Sequence, residues 1–293
     1  MPPRVNWIYI NQVLIDAALA SRKPLEGYIS DMRMSNDYWA QRFAESQNTL
    51  SNKNIKQIEK QLRIYYGTAA RQIIADFEAV YNKLLAQKVE GKEVTPADLY
   101  KLDKYWQMQG QLRKRLQKLN ERQVSALTKI FEINFFDVYY SIEIEGKKAF
   151  NTIDSAGAQA LINAIWVADG KSWSERIWQS TEKLGEMLNE QLLNTVITGK
   201  KTTQLKQMLQ ERFDVSYSRA DALVRTELAH IQSSAAQQRY KDYGIREVEV
   251  WADKDERRCE ECAKLHKTRY PVGTAAIVPI HVNCRCCIVP VID

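Results

Sequence analysis

Apolar side chains recur three and four residues apart over most of this chain, a spacing that predicts one helix after another. Between 55 and 87 the stripe runs Ile58, Leu62, Tyr65, Tyr66, Ala69, Ile73, Phe77, Val80, Leu84, the i, i+3, i+4, i+7 pattern of a single buried helical face. Val89 to Val94, with Gly91 inside, breaks it. Thr95-Pro96 starts it again, with threonine placed to cap and proline in the first turn, where its missing N–H costs nothing. The new helix is expected to continue through Leu99, Leu102, Trp106, Leu112, Leu116, Leu119, Val124, Leu127 and Phe131. Two such helices could pair as a hairpin or coiled coil.

From Phe131 to Ile144 the composition turns aromatic, with Phe131, Phe135, Phe136, Tyr139 and Tyr140, which reads as packing at a junction. Gly146 closes this stretch, Asp154 or Ser155 can cap the next helix, and Asp169-Gly170 breaks again. Ser172-Trp173-Ser174-Glu175 has the form of a capping box, the serine serving a free amide and the glutamate reaching back. A helix follows through Ile177, Leu184, Leu188, Leu192 and Val196 to a stop near Gly199. Residues 203–213 read as a short helix. Ser218-Arg219-Ala220-Asp221 reads as a second capping box, opening a helix with Ala220, Leu223, Val224, Leu228, Ile231 and Ala235 on one face and a stop at Tyr243-Gly244.

The period then changes. Ile245 to Trp251 is rich in β-branched residues and partly alternates apolar with charged, which predicts a short strand. Ala252 to Asp293 reads as loop. The expected fold is therefore mainly α: a long helical body over 1–145, then a second, largely helical domain over 146–293 with a strand near 245–251 and a small α+β, Cys/His-rich knob at 252–293.

Composition narrows this picture. A chain of 293 residues, 45% hydrophobic, can bury a sizeable core and form two domains. Its 11 glycines and 7 prolines are too few for an all-β fold built on tight turns. It has no apolar run of about 18 residues, so no membrane span is expected. Met1-Pro2-Pro3-Arg4-Val5-Asn6-Trp7 lacks the pattern of a secretory signal, and residence in a reducing cytoplasm is the expectation. The net charge is +6. Residues 101–129 hold Lys101, Lys104, Arg113, Lys114, Arg115, Lys118, Arg122 and Lys129 against Asp103 and Glu121, an excess as large as that of the whole chain. Such a run is ordinarily a solvated helix face; it would also suit a polyanion such as DNA.

All five cysteines lie in the last 35 residues, as Cys259-x-x-Cys262, eighteen intervening residues, then His281-x-x-Cys284-Arg285-Cys286-Cys287. Two ligand pairs separated by fifteen to twenty residues form a zinc template, here with histidine in one position. Tetrahedral zinc needs four such donors, and a C-x-x-C turn presents two thiolates from one loop. Cys286 could stand in for His281, so the candidate ligands are Cys259, Cys262, His281, Cys284 and Cys286, with a structural zinc ion as cofactor. Cys287 is expected to point elsewhere as a buried thiol. Disulfides, or thiols buried in a small core, are the alternatives; disulfides are disfavoured in a reducing compartment. In every case the cluster is a staple for a segment too short to bury much core by itself.

Nothing in the sequence announces catalysis. Five candidate donors build a closed site more easily than a catalytic zinc with an open corner. There is no Gly-rich phosphate loop, no H-E-x-x-H and no G-x-S-x-G. Arg225 and Glu227, two apart on a helix, do not face each other, and each is expected to pair with another part of the fold.

The C-terminal residues together resemble the phage head morphogenesis family, the Mu gpF-like minor head proteins. The resemblance is carried in order by the short helix from Thr203 to Phe213, Arg225-Thr226-Glu227, Tyr240, Gly244, Trp251, Asp255-x-x-x-Cys259-x-x-Cys262-x-x-Leu265, His281-x-Asn283-Cys284-Arg285-Cys286 and Pro290. Asp37-Tyr38-Trp39-x-x-Arg42 is similar to the start of some members. The sequence departs from the family at His266-Lys267, where a glycine is usual, and at Ile280 and Val282 beside His281, where prolines are common. The resemblance implies a structural, non-enzymatic virion component near the portal vertex, assembled in the host cytoplasm. Its implied partners are the portal protein and the major capsid or scaffolding protein, with packaged phage DNA as a further candidate and no membrane. The rival reading is a zinc ribbon that binds nucleic acid; against it, Lys254, Arg257 and Arg258 are offset by Asp253, Asp255, Glu256, Glu260 and Glu261.

Overall fold

The structure is a computed structural model that describes residues 25–88, 95–144, 149, 151–252, 258–274 and 277–292. Four long helices dominate it: α1 (Leu25–Lys88), α3 (Asp103–Ser141), α5 (Trp173–Thr198) and α6 (Thr202–Asp242), with the short α2 (Pro96–Tyr100) and α4 (Ser155–Ile162) between them. The C-terminal part adds β1 (Glu247–Trp251), α7 (Glu260–Leu265), β2 (Arg269–Pro271) and β3 (Cys287–Pro290). The protein is thus mainly helical, with a small sheet in its Cys/His-rich C-terminal region, as the periodicity predicts.

The long helices form a bundle whose directions can be read from their polar cross-links. Asn54 Nδ2 donates to Asn134 Oδ1 at 2.8 Å, and Asp76 pairs with Arg115 at 3.0 Å further along, so α1 and α3 run antiparallel. Thr181 bonds Asn120 and Gln109 Nε2 donates to Asn189 Oδ1 at 2.6 Å, which sets α5 antiparallel to α3. Glu59 with Arg225 and Glu78 with Lys206 set α1 antiparallel to α6. The faces turned inward carry the predicted stripes: Ile58, Leu62, Ile73, Phe77, Val80 and Leu84 of α1 are nearly or fully buried. Phe131, Phe135 and Tyr139 are fully buried as well, while Tyr140 stays exposed. One buried core runs from Ile58 to Ile288, across the expected domain boundary near 145.

Most helix boundaries follow the signals. Asp98 accepts from the Thr95 N–H and hydroxyl at 3.0 and 2.7 Å. Asp154 caps α4, accepting from Gly157 N–H at 2.8 Å. The Ser172/Glu175 box is formed reciprocally, with bonds of 2.7 and 3.3 Å. Gly199 and Gly244 end α5 and α6 at φ of 62° and 69°, a conformation that glycine adopts without strain.

Three expectations are corrected. The helix begun at Thr95 does not run on to Phe131: it stops at Lys101 and restarts at Asp103, because Leu102 is extended (φ −83°, ψ 116°) and so buries its side chain beside that of Leu99. The short helix at 203–213 and the capping box at Ser218 are not separate elements. α6 runs unbroken from 202 to 242, since no glycine or proline interrupts it. Phe213, Ser216 and Ala220 stay buried on one face, and the Ser218 hydroxyl bonds the carbonyl of Asp214 at 2.9 Å within the helix. Third, 252–293 is more than loop, for it contains α7, β2 and β3. The readings placed on Val89–Val94, Gly146 and the acidic residues Asp253, Asp255 and Glu256, and on the side chains of Asp37, Tyr38 and Trp39, lie outside the described residues.

β1 is the central strand, antiparallel to β2 and β3 on either side. Because successive strand residues face opposite ways, Val248, Val250 and Ile288 join the main core, while Trp251, Cys287 and Val289 pack with Ala44 of α1 on the other face. α1 and α6 hold the edge strand: Gln47 and Tyr240 both donate to the Ile288 carbonyl, at 3.4 and 3.1 Å.

Candidate metal centre

The five predicted donors come from three pieces of this fold. Cys259 sits at the N-cap of α7, its sulfur accepting from the Cys262 N–H at 3.3 Å. Cys262, one turn on, is buried. His281 and Cys284 come from the turn before β3, closed by a 3.1 Å bond from Cys284 N–H to the His281 carbonyl. Cys286 leads into β3 on the side of Ile288, so Cys287, one residue later, turns to the opposite face, as predicted.

All five donors converge. His281 Nε2 lies 3.3 Å from Cys259 Sγ and 3.1 Å from Cys262 Sγ, and Cys262 Sγ lies 3.9 Å from Cys284 Sγ. They form two overlapping triads, Cys259/Cys262/His281 and Cys262/Cys284/Cys286, in each of which the ligand atoms lie within 4.8 Å of one another. His281 Nδ1 is 2.8 Å from the Val282 carbonyl. A carbonyl only accepts, so Nδ1 carries the proton, and the lone pair of a neutral ring is left on Nε2, facing two sulfurs. That is the arrangement of a metal-ligating histidine oriented by an outer partner.

The thiols are electrostatically unequal. A hydrogen bond from the Cys286 thiol holds Cys284 down to about 5. Burial pushes Cys262 up to about 12. Cys286 is raised, first by its bond to Cys284. The backbone N–H of Cys262 lowers Cys259. Tetrahedral zinc, with bonds of about 2.3 Å to sulfur and 2.0–2.1 Å to nitrogen, implies edges of about 3.8 Å between sulfurs and about 3.6 Å from sulfur to nitrogen. The spacings from His281 to Cys259 and Cys262 and from Cys262 to Cys284 fall near these values, so each triad fits an ion of that kind; the two triads share Cys262, and no four of the donors lie mutually within 4.8 Å.

Helix α6 anchors the cluster through the Arg225-Thr226-Glu227 triplet, and each of its members does pair elsewhere. Arg225 bonds Asp221 at 2.8 Å and Glu59 of α1. The Thr226 hydroxyl accepts from Asn283 N–H at 3.1 Å, inside the His281–Cys284 turn. Glu227, its side chain 3% exposed, pairs with Arg176 of α5 at 2.6 Å and accepts from Trp166 Nε1 at 2.9 Å. Arg176 continues to Asp169 at 2.8 Å, and the Trp166 ring stacks on His230 at 4.4 Å. The sequence pattern points to no pairing for Arg176, Trp166 or Asp169, the last of which reads only as part of a helix break. The available signal was Glu227 itself, which falls within the apolar stripe of Val224, Leu228 and Ile231 and so had to be buried with a partner.

The architecture is thus that of a helical-bundle protein with a thiol- and imidazole-clustered terminal sheet. Residues 186–289, which hold the second half of α5, all of α6 and the whole cluster, match the family model described as Phage Mu protein F like protein. The chain is also 24% identical over 183 residues to a protein of Enterococcus faecalis (strain ATCC 700802 / V583) named NAD(+)--arginine ADP-ribosyltransferase EFV, an alignment covering 55% of this chain and 37% of that protein. The chain therefore spans little more than a third of that relative's length. No solved structure matches it. Among the described residues no helix is long and apolar enough to cross a membrane.

Proposed function

We propose that this protein is a structural minor head protein of a tailed phage. In this reading it acts in head assembly near the portal vertex, in the host cytoplasm and then in the virion, and its C-terminal knob is locked by a structural zinc ion. The observation that carries the reading is the Mu F-like match itself: the matched segment takes in the second half of α5, all of α6, nearly all of the sheet and the Cys/His cluster that α6 anchors. The ion would be held by Cys259, Cys262 and Cys284 with His281 or Cys286, and it would supply cross-linking, not a reactive water. The knob, so stiffened, presents a fixed surface to the portal protein and to the capsid or scaffolding protein, and no turnover is assigned to it.

Contact with packaged DNA belongs to the helical body in this reading. Lys104, Lys114, Lys118, Arg122 and Lys129 fall within an arc of about 80° on α3 at 100° per residue, opposite the buried Leu112, Leu116, Gln123 and Leu127. Arg115 and Lys101 are instead drawn to Asp76 and Asp98. Among the described residues of the knob, the zinc-ribbon alternative gains no such stripe.

Quantitative mass spectrometry of purified particles, with capture on immobilised portal oligomer, tests the proposal. The protein is expected in few copies per head and retained by the portal. Its absence from particles that package DNA normally would overturn the reading.

A further inference from the structure

Five donors meet where a tetrahedral ion takes four: Cys262 is shared by the His281 triad and by the triad that holds Cys284 and Cys286, and charge separates the candidates. His281 Nε2 is already within 3.3 Å of two of the sulfurs, with its lone pair freed by the Nδ1–H bond to Val282. Three thiolates and a neutral imidazole leave a half-buried dication site with a net charge of −1, whereas a fourth thiolate would double that charge in a place where unpaired charge is costly. Cys286 is buried, within 4.8 Å of both Cys262 and Cys284, and on their side of the sheet. Resting on the metal reading above, we propose that Cys259, Cys262, Cys284 and His281 hold the ion, and that Cys286 is a spare thiol through which peroxide releases it.

The step is a two-electron oxidation by a hydroperoxide. The Cys284 thiolate attacks one peroxide oxygen; an S–O bond forms, the O–O bond breaks and hydroxide leaves. The Cys286 thiol then attacks the resulting sulfenic sulfur; the S–S bond forms, the S–O bond breaks and water departs with the thiol proton. The two sulfurs are oxidised and the peroxide is reduced. The ion loses one of its four corners and is shed. With Cys284 bound to Cys286, the turn that docks on Thr226 loses its cross-link to α7, so the knob would be firm in a reducing cell and loosened in an oxidising medium.

The test uses the full-length protein purified with its metal. Zinc content is measured by elemental analysis, and release under hydrogen peroxide is followed with a chromogenic chelator. Wild type is compared with Cys286→Ser, Cys286→Ala and His281→Ala, each checked for native helix content by circular dichroism. Both Cys286 variants are expected to keep one zinc per chain and to release it several-fold more slowly than wild type. His281→Ala should lose zinc without peroxide, and peptide mapping of oxidised wild type should find Cys284 joined to Cys286. Loss of zinc from the folded Cys286 variants would make Cys286 a ligand and overturn the assignment. Unchanged release rates, or a Cys259–Cys262 disulfide in its place, would overturn the switch while leaving the metal reading intact. Wild-type protein without zinc would sink both.

Discussion

Thr226 on α6 accepts a hydrogen bond from the backbone N–H of Asn283, 57 residues later and 3.1 Å away. Asn283 holds φ at 60°, a left-handed conformation that asparagine tolerates better than most residues, and this aims its N–H at the helix. The same hydroxyl donates to the Ala222 carbonyl at 2.8 Å, so its proton is committed and its lone pairs face the turn. The contact fixes the turn carrying His281 and Cys284 against a rigid element. Replacing Thr226 with valine keeps the shape and removes the acceptor. It is expected to lower the unfolding free energy by about 1 kcal/mol, the net worth of one such bond, and to weaken zinc retention, while Thr226→Ser preserves both. Urea unfolding and metal content of the two variants check this; equal behaviour of valine and serine would show that the bond contributes nothing.

Tyr81 on α1 closes the far end of α5. Its hydroxyl donates to the Lys200 carbonyl at 2.6 Å, just past the Gly199 stop, and lies 3.3 Å from that of Thr195, which also accepts from the Gly199 and Lys200 N–H groups. The ring is 1% exposed, so water does not replace the bond easily. Tyr81→Phe is expected to cost about 1–2 kcal/mol at unchanged packing, as for a buried group left without its partner. A shifted urea midpoint with an unaltered slope is the expected signature; an unshifted midpoint would remove Tyr81 from the capping of α5.

The helices were legible because burial leaves a 3.6-residue imprint on one face, and the Ser172 box and the glycine stops are local chemistry. The convergence of Cys259, Cys262, His281, Cys284 and Cys286 could be read from spacing, since few structures other than a shared site put so many soft donors in 28 residues. The break at Leu102 was hidden because extended backbone there answers to the burial of Leu99 and Leu102 together, a tertiary demand with no local mark. The false boundary at Ser218 arose from a capping pattern that works only when a helix must begin; here the serine bonds back within a continuous helix. The node of Arg176, Trp166 and Glu227 joins residues 51 and 61 positions apart, and pairings of that kind leave no periodic trace.

That node is expected to be the most sensitive polar site in the bundle. Glu227 and Arg176 are 3% and 13% exposed at their side chains and meet at 2.6 Å. Glu227→Ala leaves the Arg176 guanidinium to the half-exposed Asp169 and the Lys171 carbonyl at 2.7 Å, and leaves the Trp166 indole N–H without its acceptor. Breaking such a buried pair typically costs about 3–5 kcal/mol, and the remaining Asp169 contact argues for the lower end. Glu227→Gln retains an acceptor for Trp166 and should cost less than half as much. Thermal and urea unfolding of the two variants give the ranking, and an alanine variant as stable as the glutamine variant would contradict it.

His230 makes stability fall with acid in a definable window. Its ring is stacked on Trp166 at 4.4 Å, and its Nδ1 is buried without a hydrogen-bond partner. Burial first, then the charge of Arg176, lowers its pKa from 6.5 to about 4. The unfolded chain therefore takes up a proton below pH 6.5 that the folded chain refuses until about pH 4. Stability from this group is complete above pH 6.5 and is lost as pH falls toward 4, by roughly 3 kcal/mol in total at about 1.4 kcal/mol per pKa unit. Glu227, one turn earlier, acts with the opposite sign: burial raises its pKa, so its folded form holds a proton longer and its contribution declines as pH rises. The two are separated by substitution. His230→Phe keeps a ring against Trp166 and loses no bond from Nδ1, so at pH 7 it should be as stable as wild type or more so. Between pH 6.5 and 4 the wild-type unfolding free energy should drop relative to that of the variant, while Glu227 imposes the same slope on both. Urea unfolding at half-unit steps of pH reads the difference directly, and parallel curves for the two proteins would show that His230 titrates alike in the folded and unfolded chains.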